Sequence, residues 1–591
     1  MKKNYYKIIS AICLICGFTS CGDFLEIKDQ REIILEDFWN EKADVDAVVA
    51  GCYAGLQSDA VIRRMLMWGE FRSDNIGSGS NIDSDISLQN ILKENITAKN
   101  DYTTWEGFYD VINRCNTVLK YAPEVSAKDP AYTDGDLKAT IAEVTALRSL
   151  SYFYLIRAFR DVPFSREAFT DDDQKMDLEA TPFNEVLNNI IADLEAIQNN
   201  AVRRYPETKN GYQTGRITQD AIHAMLCEMY LWAGDYDNCI KYADMVIKSK
   251  KELYEEYNKK NRNNMNSSDE ALLEKRLNGF PLVYESLQSV QECGRVYKTL
   301  FTQNKREDAS REVIFELFYD EDPSAHSAVN NAAISSLYGN SNSKKGLVTA
   351  GSSVSGDINL TSGRLIFEDK VKALDARMYT SYDQAGEAIA KFVYPTININ
   401  AESSTPNASY REAYSQSSNG SHWVIYRLPD IMLFKAEALC MKMRDGVDTD
   451  ALAYNTAMTD EAFNLVNAIN KRSIMKVTFE NADTLSYADY KGSKSAMMQL
   501  VKKERRREFL FEGKYWFDLV RYCMRAGNTD EIITAVSNRD DVNSQFASNF
   551  FKKMDAIFWP YNYEELKVNH NLVQNPAFGS GENSSYEKTT K

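Results

Sequence analysis

Histidine is scarce in this chain. There are 4 in 591 residues, and His223, His326, His422 and His570 never stand four apart. A helical H-E-x-x-H zinc site is therefore excluded. No G-x-S-x-G elbow, Walker A loop or G-x-G-x-x-G fingerprint occurs, so the usual carriers of hydrolase nucleophiles, nucleotide phosphates and dinucleotides are missing. Basic residues are outnumbered: 69 Lys and Arg face 85 Asp and Glu, a net charge of −16. A chain this acidic repels polyanions, which argues against nucleic acid as a partner and against electrostatic adhesion to anionic lipid. Beyond Cys21 no apolar run approaches the ~18 residues of a membrane helix. Cysteine offers no framework either. Past Cys21 come Cys52, Cys115, Cys227, Cys239, Cys293, Cys440 and Cys523, an odd and widely spaced set without C-x-x-C. Buried free thiols are expected, not disulfides or zinc. Asp83 and Asp85, and Asp171 to Asp173, lack the spacing of an EF-hand loop. No cofactor is expected, and clustered loop carboxylates leave room only for a loosely held calcium.

What the chain does have is apolar and aromatic bulk. Hydrophobic residues make up 44% and aromatics 12%, with 34 tyrosines, enough for a sizeable core and far from a disordered composition. The start is of another kind. Lys2, Lys3 and Lys7 precede or flank the run IISAICLICGF, which leads to Thr19-Ser20-Cys21. The run is much shorter than the ~20 residues that span a bilayer. Basic, apolar and small-residue segments in this order make an export signal. FTSC resembles a bacterial lipobox, with Phe18 in place of the usual leucine. The expectation is a signal peptide over 1–20 and a lipid on Cys21, which is then the chain's one hold on a membrane.

Helical periodicity recurs through much of the rest. Val45, Val48, Val49, Cys52, Tyr53 and Leu56 share one face. Trp105 to Glu124 reads as a helix ended by Pro123, and Asp136 to Phe164 as one closed by the Asp-Val-Pro turn. Pro182 to Asn199 is a further helix. GRITQDAIHAMLCEMYLWAGDYDNCIKYADMVIKSK reads as two helices of about a dozen residues around Gly234-Asp235-Tyr236-Asp237. Tyr230, Gly234, Tyr236 and Ala243 stand where a tetratricopeptide hairpin places its aromatics and its turn. His223 lies inside this hairpin and reads as a packed core residue. Gly77 to Asn100 is polar and loop-like. Glu252 to Ser421 is rich in Asn, Ser and Gly, with short β-prone pieces such as EVIFELFY, too long for one structureless loop. Helical order returns over His422 to Met443, Ala462 to Ile474 and Met497 to Tyr522.

Two sets of residues stand out as candidates. Glu504, Glu508 and Glu512 recur at four-residue spacing among Arg505, Arg506, Arg507, Lys514 and Arg521. Neighbouring cations lower carboxylate pKa values, which suits an ion-pair network beside an aromatic seam and not a general acid. For ligand binding, the polar groups near the first long loop are Arg72, Asp74, Asn75 and Asn81. Loop tyrosines Tyr338, Tyr379, Tyr382, Tyr410 and Tyr414 are the platforms on which sugar rings could stack.

With these segments in place, the chain resembles the SusD/RagB family of nutrient-uptake outer-membrane lipoproteins. The resemblance rests on CGDFLE at the start, EVTALRSLSYFYLIRAFRDVP with Arg160 for the usual glycine, and GRITQDAIHAMLCEMYLWAGDY. It continues with RLPDIMLFKAEAL, Asp430 standing for glutamate, then ERRREFLFEGKYWFDLVR, Tyr515 standing for arginine, and FWPYNYEELKVNHNLVQNPAF. The resemblance implies an all-α-dominated fold, a tetratricopeptide-like scaffold of helix pairs with irregular loops and short strands. It implies one domain over 21–578, with an N-terminal helical part (22–250), an elaborated ligand-side region (251–421) and a C-terminal helical part (422–578), followed by a polar tail (579–591). It implies a non-enzymatic, surface-exposed lipoprotein of the outer membrane, its metal sites none. Such a protein captures a glycan and delivers it to a TonB-dependent SusC-like transporter. A peptide-binding uptake protein or a tetratricopeptide scaffold is the alternative, with a secreted hydrolase behind both.

Overall fold

The computed structural model describes residues 38–579 except 172, 210, 261–276, 284–296, 298–299, 302–311, 320–329, 342–343, 355–366, 368–374, 384–387, 395, 401–406, 412–418, 446–448 and 475–483. The leader, Cys21, Cys293, Tyr414 and the polar tail lie outside the described residues.

The chain enters through α1 (Lys42–Leu56), where the Asp44 carboxylate accepts the Glu41 amide at 2.8 Å and Val45, Val49, Cys52 and Leu56 turn inward. Next, α2 (Asp59–Leu66) is capped by the Ser58 hydroxyl and runs on into a π-helical turn, Met67–Phe71. A long pair follows, α3 (Glu106–Lys128) and α4 (Asp134–Phe159), which pack on each other. Every residue of α4 from Ala142 to Phe159 is buried, so it is a central helix.

Pro123 does not end α3 as predicted; it sits inside the helix. Proline removes one backbone donor. The turns beyond it hold because Ala122 and Val125 are buried and the Asp129 amide donates to the Val125 carbonyl at 2.8 Å. Helix α4 stops at Arg160, whose φ of +70° puts a bulky residue in the left-handed region, a conformation that costs roughly 1–3 kcal/mol outside glycine. The Arg160 side chain offsets part of this with ion pairs to Asp161 and Asp555.

Then come α5 (Phe183–Ile197), the single turn α6 (Tyr212–Gly215), α7 (Gln219–Ala233) and α8 (Tyr236–Lys260). The α7–α8 turn is as predicted. Gly234 has φ +78°, the Asp235 amide reaches back to the Tyr230 carbonyl at 3.0 Å, and the Tyr230 and Tyr242 rings stack. Helix α8 is twice the predicted length. His223 is buried, with its ring beside that of Tyr242.

The middle of the chain contributes two-stranded pieces. β1 (Ile76–Ser78), at the start of the stretch read as loop, pairs with β3 (Val348–Ala350); β2 (Val313–Leu317) pairs with β6 (Trp423–Arg427); and β4 (Thr396–Asn400) pairs with β5 (Asn407–Arg411). The β6 assignment corrects the helix expected from His422. Trp423, Val424, Ile425 and Tyr426 are β-branched or aromatic, all five strand positions are buried, and the helix α9 (Leu428–Lys442) starts only with Pro429 in its first turn.

The scaffold continues with α10 (Thr449–Arg472), α11 (Lys494–Glu508) and α12 (Tyr515–Ala526), and shorter helices follow, Asp530–Ser537, Ser544–Phe550 and Tyr563–Val568. The predicted continuous helix over Met497 to Tyr522 breaks where Phe511 (φ +67°) and Gly513 (φ +70°) enter the left-handed region. Buried apolar residues from Trp39 to Leu572 form one continuous core, with a smaller cluster around Trp516, Val520 and Ile532. Cys52, Cys115, Cys227, Cys239, Cys440 and Cys523 are free and buried, as their apolar settings predict. Among the described residues no helix is long and apolar enough to cross a membrane.

Candidate functional site

The Glu–Arg cluster lies in the interior. Glu508 accepts from three guanidinium groups, Arg377 at 3.0 Å together with Arg427 and Arg472. Glu504 accepts from Arg377 at 2.9 Å and from Asn470 at 3.0 Å. Glu512, just past the end of α11, accepts from Arg427 at 2.8 Å and from Lys391 at 2.9 Å. Glu312 of the β2 approach takes Arg472 at 2.6 Å. A second arm joins Arg505 to Asp518 (2.7 Å), Lys514 to Asp430 (2.8 Å) and Arg521 to Glu437 (2.9 Å). Burial pushes Glu508, Glu512 and Glu437 up, but their cationic neighbours overcome it. Arg472, Arg427 and Arg377 hold Glu508 well below the ordinary range, Arg427 and Lys391 bring Glu512 to about 2, and Arg521 and Arg525 bring Glu437 to about 2. Acids held ionised in this way cannot donate a proton near neutral pH. The network is a fastener joining β6, α9, α10, α11 and the α11–α12 break.

It also sets an acid dependence. Glu512 and Glu437 have folded values below their unfolded value of about 4.3. Their stabilisation is complete above the unfolded value and is lost as pH falls through the folded one. Glu70, Glu143 and Asp430 are shifted the other way by burial and regain a part of it on protonation. The urea midpoint is expected to hold between pH 7 and 5 and to fall steeply from pH 4 towards 2. An unchanged midpoint at pH 3 contradicts this.

Most of the predicted ligand groups are not at the surface. Arg72 is fully buried, paired to Glu94 at 2.9 Å, donating to the Ala556 and Ile557 carbonyls and lying over the Trp516 ring. Asp74 is buried against Arg506 at 2.9 Å, and Asn75 is buried between Glu70 and Arg506. Tyr338 is buried between aromatic rings, with its hydroxyl on the Phe511 carbonyl, and Tyr382 is buried with its hydroxyl beside that of Thr349. These five are structural. Tyr379 and Tyr410 are half-buried, and the Tyr410 hydroxyl is used internally, donating to the Tyr379 and Tyr382 carbonyls. Asn81 is exposed and donates to the Lys345 carbonyl at 3.0 Å.

An open cleft of about 440 Å³ lies elsewhere, between α1, the segment around α6 and the end of β2. Tyr53 and Gln57 come from α1, Thr208, Lys209, Tyr212 and Arg216 from the α6 segment, and Phe318 from just past β2. Glu143 of α4 ties two of these residues together from behind: it takes Arg216 through two bonds (2.8 and 2.7 Å) and the Tyr53 hydroxyl at 2.5 Å, and that hydroxyl accepts the Ile217 amide at 2.9 Å. Gln57 donates to the Phe318 carbonyl at 2.8 Å. The absence of side chains at Gly211 and Gly215 lets α6 lie on the Phe318 ring; a Cβ at Gly215 would stand 2.9 Å from it. Tyr212 is 41% exposed, a large aromatic presented to solvent in a concave surface with a few fixed polar groups, which is the anatomy of a small-ligand site. Sequence reasoning missed it. The one available signal was an aromatic in a Gly-rich turn, NGYQTGR, directly ahead of the hairpin. Among the described residues no group of three His, Cys, Asp or Glu is placed to hold a metal ion.

Two family models match the chain: the SusD family over residues 247–578, and a family described as starch-binding and associating with the outer membrane over residues 23–231. SusD-like protein P38 of Formosa agariphila is 24% identical over 98% of this chain and 100% of that protein. SusD-like protein P2 of the same organism is 27% identical over 42% of this chain and 46% of that protein. Among solved structures, a SusD homolog from Bacteroides thetaiotaomicron superposes with a TM-score of 0.61 at 16% identity, covering 92% of this chain and 98% of that one. A laminarin-binding SusD-like protein gives 0.57 at 18% identity, covering 91% and 100%. These likenesses establish the helix-dominated fold, and the match over more than half of its residues establishes that the chain belongs to the SusD family.

Proposed function

We propose that this protein is a lipid-anchored lipoprotein on the outer face of the outer membrane, which captures an oligo- or polysaccharide and passes it to a TonB-dependent SusC-like transporter. The observation that carries this reading is the match of residues 23–231 to a family described as starch-binding and associating with the outer membrane. The shared fold of a laminarin-binding protein supports it. The cleft between α1, α6 and β2 is the capture surface, with Tyr212 as its aromatic edge. The protein does no chemistry on its ligand, because its strongest carboxylate cluster is sealed in the interior and neutralised. The scaffold alternative is disfavoured by the packing of the helix pairs on the chain's own segments: α8 lies on α9, and α7 on β2.

Two measurements test the proposal. In affinity electrophoresis through gels loaded with single polysaccharides, the mature protein should be retarded by one class. Uniform migration across a broad panel would move the assignment to peptide cargo. Cys21→Ala should leave the fold unchanged and remove the protein from the outer-membrane fraction. A mutant that still sediments with outer membranes and incorporates labelled palmitate refutes the anchor.

A further inference from the structure

Resting on the capture reading, we infer that the cleft selects an anionic saccharide, one carrying uronate or sulfate groups, over a neutral glucan. The first ground is the sign of its charged groups. In a chain of net charge −16, the charged residues that line this cleft among the described residues are Lys209 and Arg216, with no aspartate or glutamate beside them in the lining. Glu143 lies behind, and Arg216 cancels it.

The second ground is how those cations are held. Arg216 gives Nε and Nη2 to Glu143, so the Nη1 edge of its fork is not spent there. Its guanidinium lies 5.3 Å from the centre of the Tyr212 ring, and the Lys209 ammonium lies 5.4 Å from the same ring. Glu143 balances the charge of Arg216, so the Lys209 ammonium, steadied by the electron-rich ring face, is the charge left for a bound anion. Lys209 has no carboxylate partner among the described residues and is exposed, so its charge is available without breaking an existing ion pair.

The third ground is geometric. A neutral glucan would use Tyr212 mainly as a stacking face, yet both cations already lie over that ring. The ring serves better as the support of a cationic clamp, with Tyr53, Gln57 and Phe318 left to meet the ring carbons and hydroxyls of the sugar.

The experiment is a binding comparison of wild type, Lys209→Gln and Lys209→Arg against four polymers: polygalacturonate, alginate, chondroitin sulfate and laminarin. Wild type should bind at least one charged polymer and bind laminarin more weakly, with affinity for the charged polymer falling as salt rises from 50 to 500 mM. Loss of one charge-assisted contact in Lys209→Gln should weaken that binding about tenfold, and Lys209→Arg should restore most of it. Preference for the first two polymers identifies a carboxylate, and preference for the third a sulfate ester. Tight, salt-insensitive binding to laminarin, unchanged in Lys209→Gln, overturns the inference and leaves glycan capture standing. Binding to none of the four, nor to any polymer of the broader panel, removes both.

Discussion

Glu508→Ala is expected to unfold the protein or bring it close to unfolding. The substitution leaves the guanidinium groups of Arg377, Arg427 and Arg472 around a void, each of them buried from solvent and formerly paired to that carboxylate. Removing one partner of a buried pair costs about 3–5 kcal/mol, and here three cations lose the same partner. Whole-domain stability is commonly about 5–15 kcal/mol, so the loss is a large share of the total. Glu508→Gln keeps the volume and the hydrogen-bonding oxygen but not the charge, and should fall between wild type and alanine. The urea midpoint of the three proteins checks the order. A Glu508→Ala variant with a wild-type midpoint would mean that the network stabilises nothing.

Gly69→Ala should be comparably severe for a different reason. Gly69 sits in the π turn after α2, where a Cβ would stand 1.9 Å from the carbonyl oxygen of Gly513. That carbonyl cannot retreat easily. Gly513 holds φ +70°, and the Trp423 ring lies 3.0 Å from the place its own Cβ would occupy. The Glu70 carboxylate, one residue on, also accepts the Lys514 and Tyr515 amides at 3.0 and 3.2 Å, fixing the start of α12 to the same turn. The overlap forces backbone apart from backbone, which puts the cost at or above the upper end of the ~1–3 kcal/mol typical of overpacking. Gly51→Ala is the matched control. Nothing lies within 4 Å of that Cβ, and an alanine in mid-helix should stabilise by about 0.5–1 kcal/mol. Opposite shifts in Tm for the two variants are the expected result; a neutral Gly69→Ala would show that the π turn gives way.

The scaffold was largely legible because its signals are local. The period of α1, the Gly234 turn and the apolar run of α4 need no distant partner to be read. The Glu504–Glu508–Glu512 ladder was read correctly as structural from its arginines, although Glu512 leaves the helix before it reaches Arg427. Arg72, Asp74, Asn75, Tyr338 and Tyr382 were taken for surface groups because their burial is a tertiary fact. FRSDN looks like a polar loop, yet Arg72 meets carbonyls near position 557 and both Asp74 and Asn75 meet Arg506. Tyr338 likewise sits in a Ser/Asn-rich stretch and is buried by aromatics far along the chain. The strand at Trp423–Arg427 was missed because a short buried apolar run has no period that separates strand from helix. The cleft could not be read because its parts, Tyr53, Tyr212 and Phe318, come from three segments brought together only by the fold.

The central claim is that function resides in that cleft and not in the charged interior. Affinity electrophoresis of wild type beside Tyr212→Ala, on the polysaccharide that retards wild type most, tests it most directly. Tyr212 is exposed, so its loss should leave the circular dichroism spectrum and Tm unchanged. The expected result is a retarded wild type and a variant that migrates as in an empty gel. Equal retardation of the two folded proteins would place glycan capture elsewhere on the molecule and contradict the account.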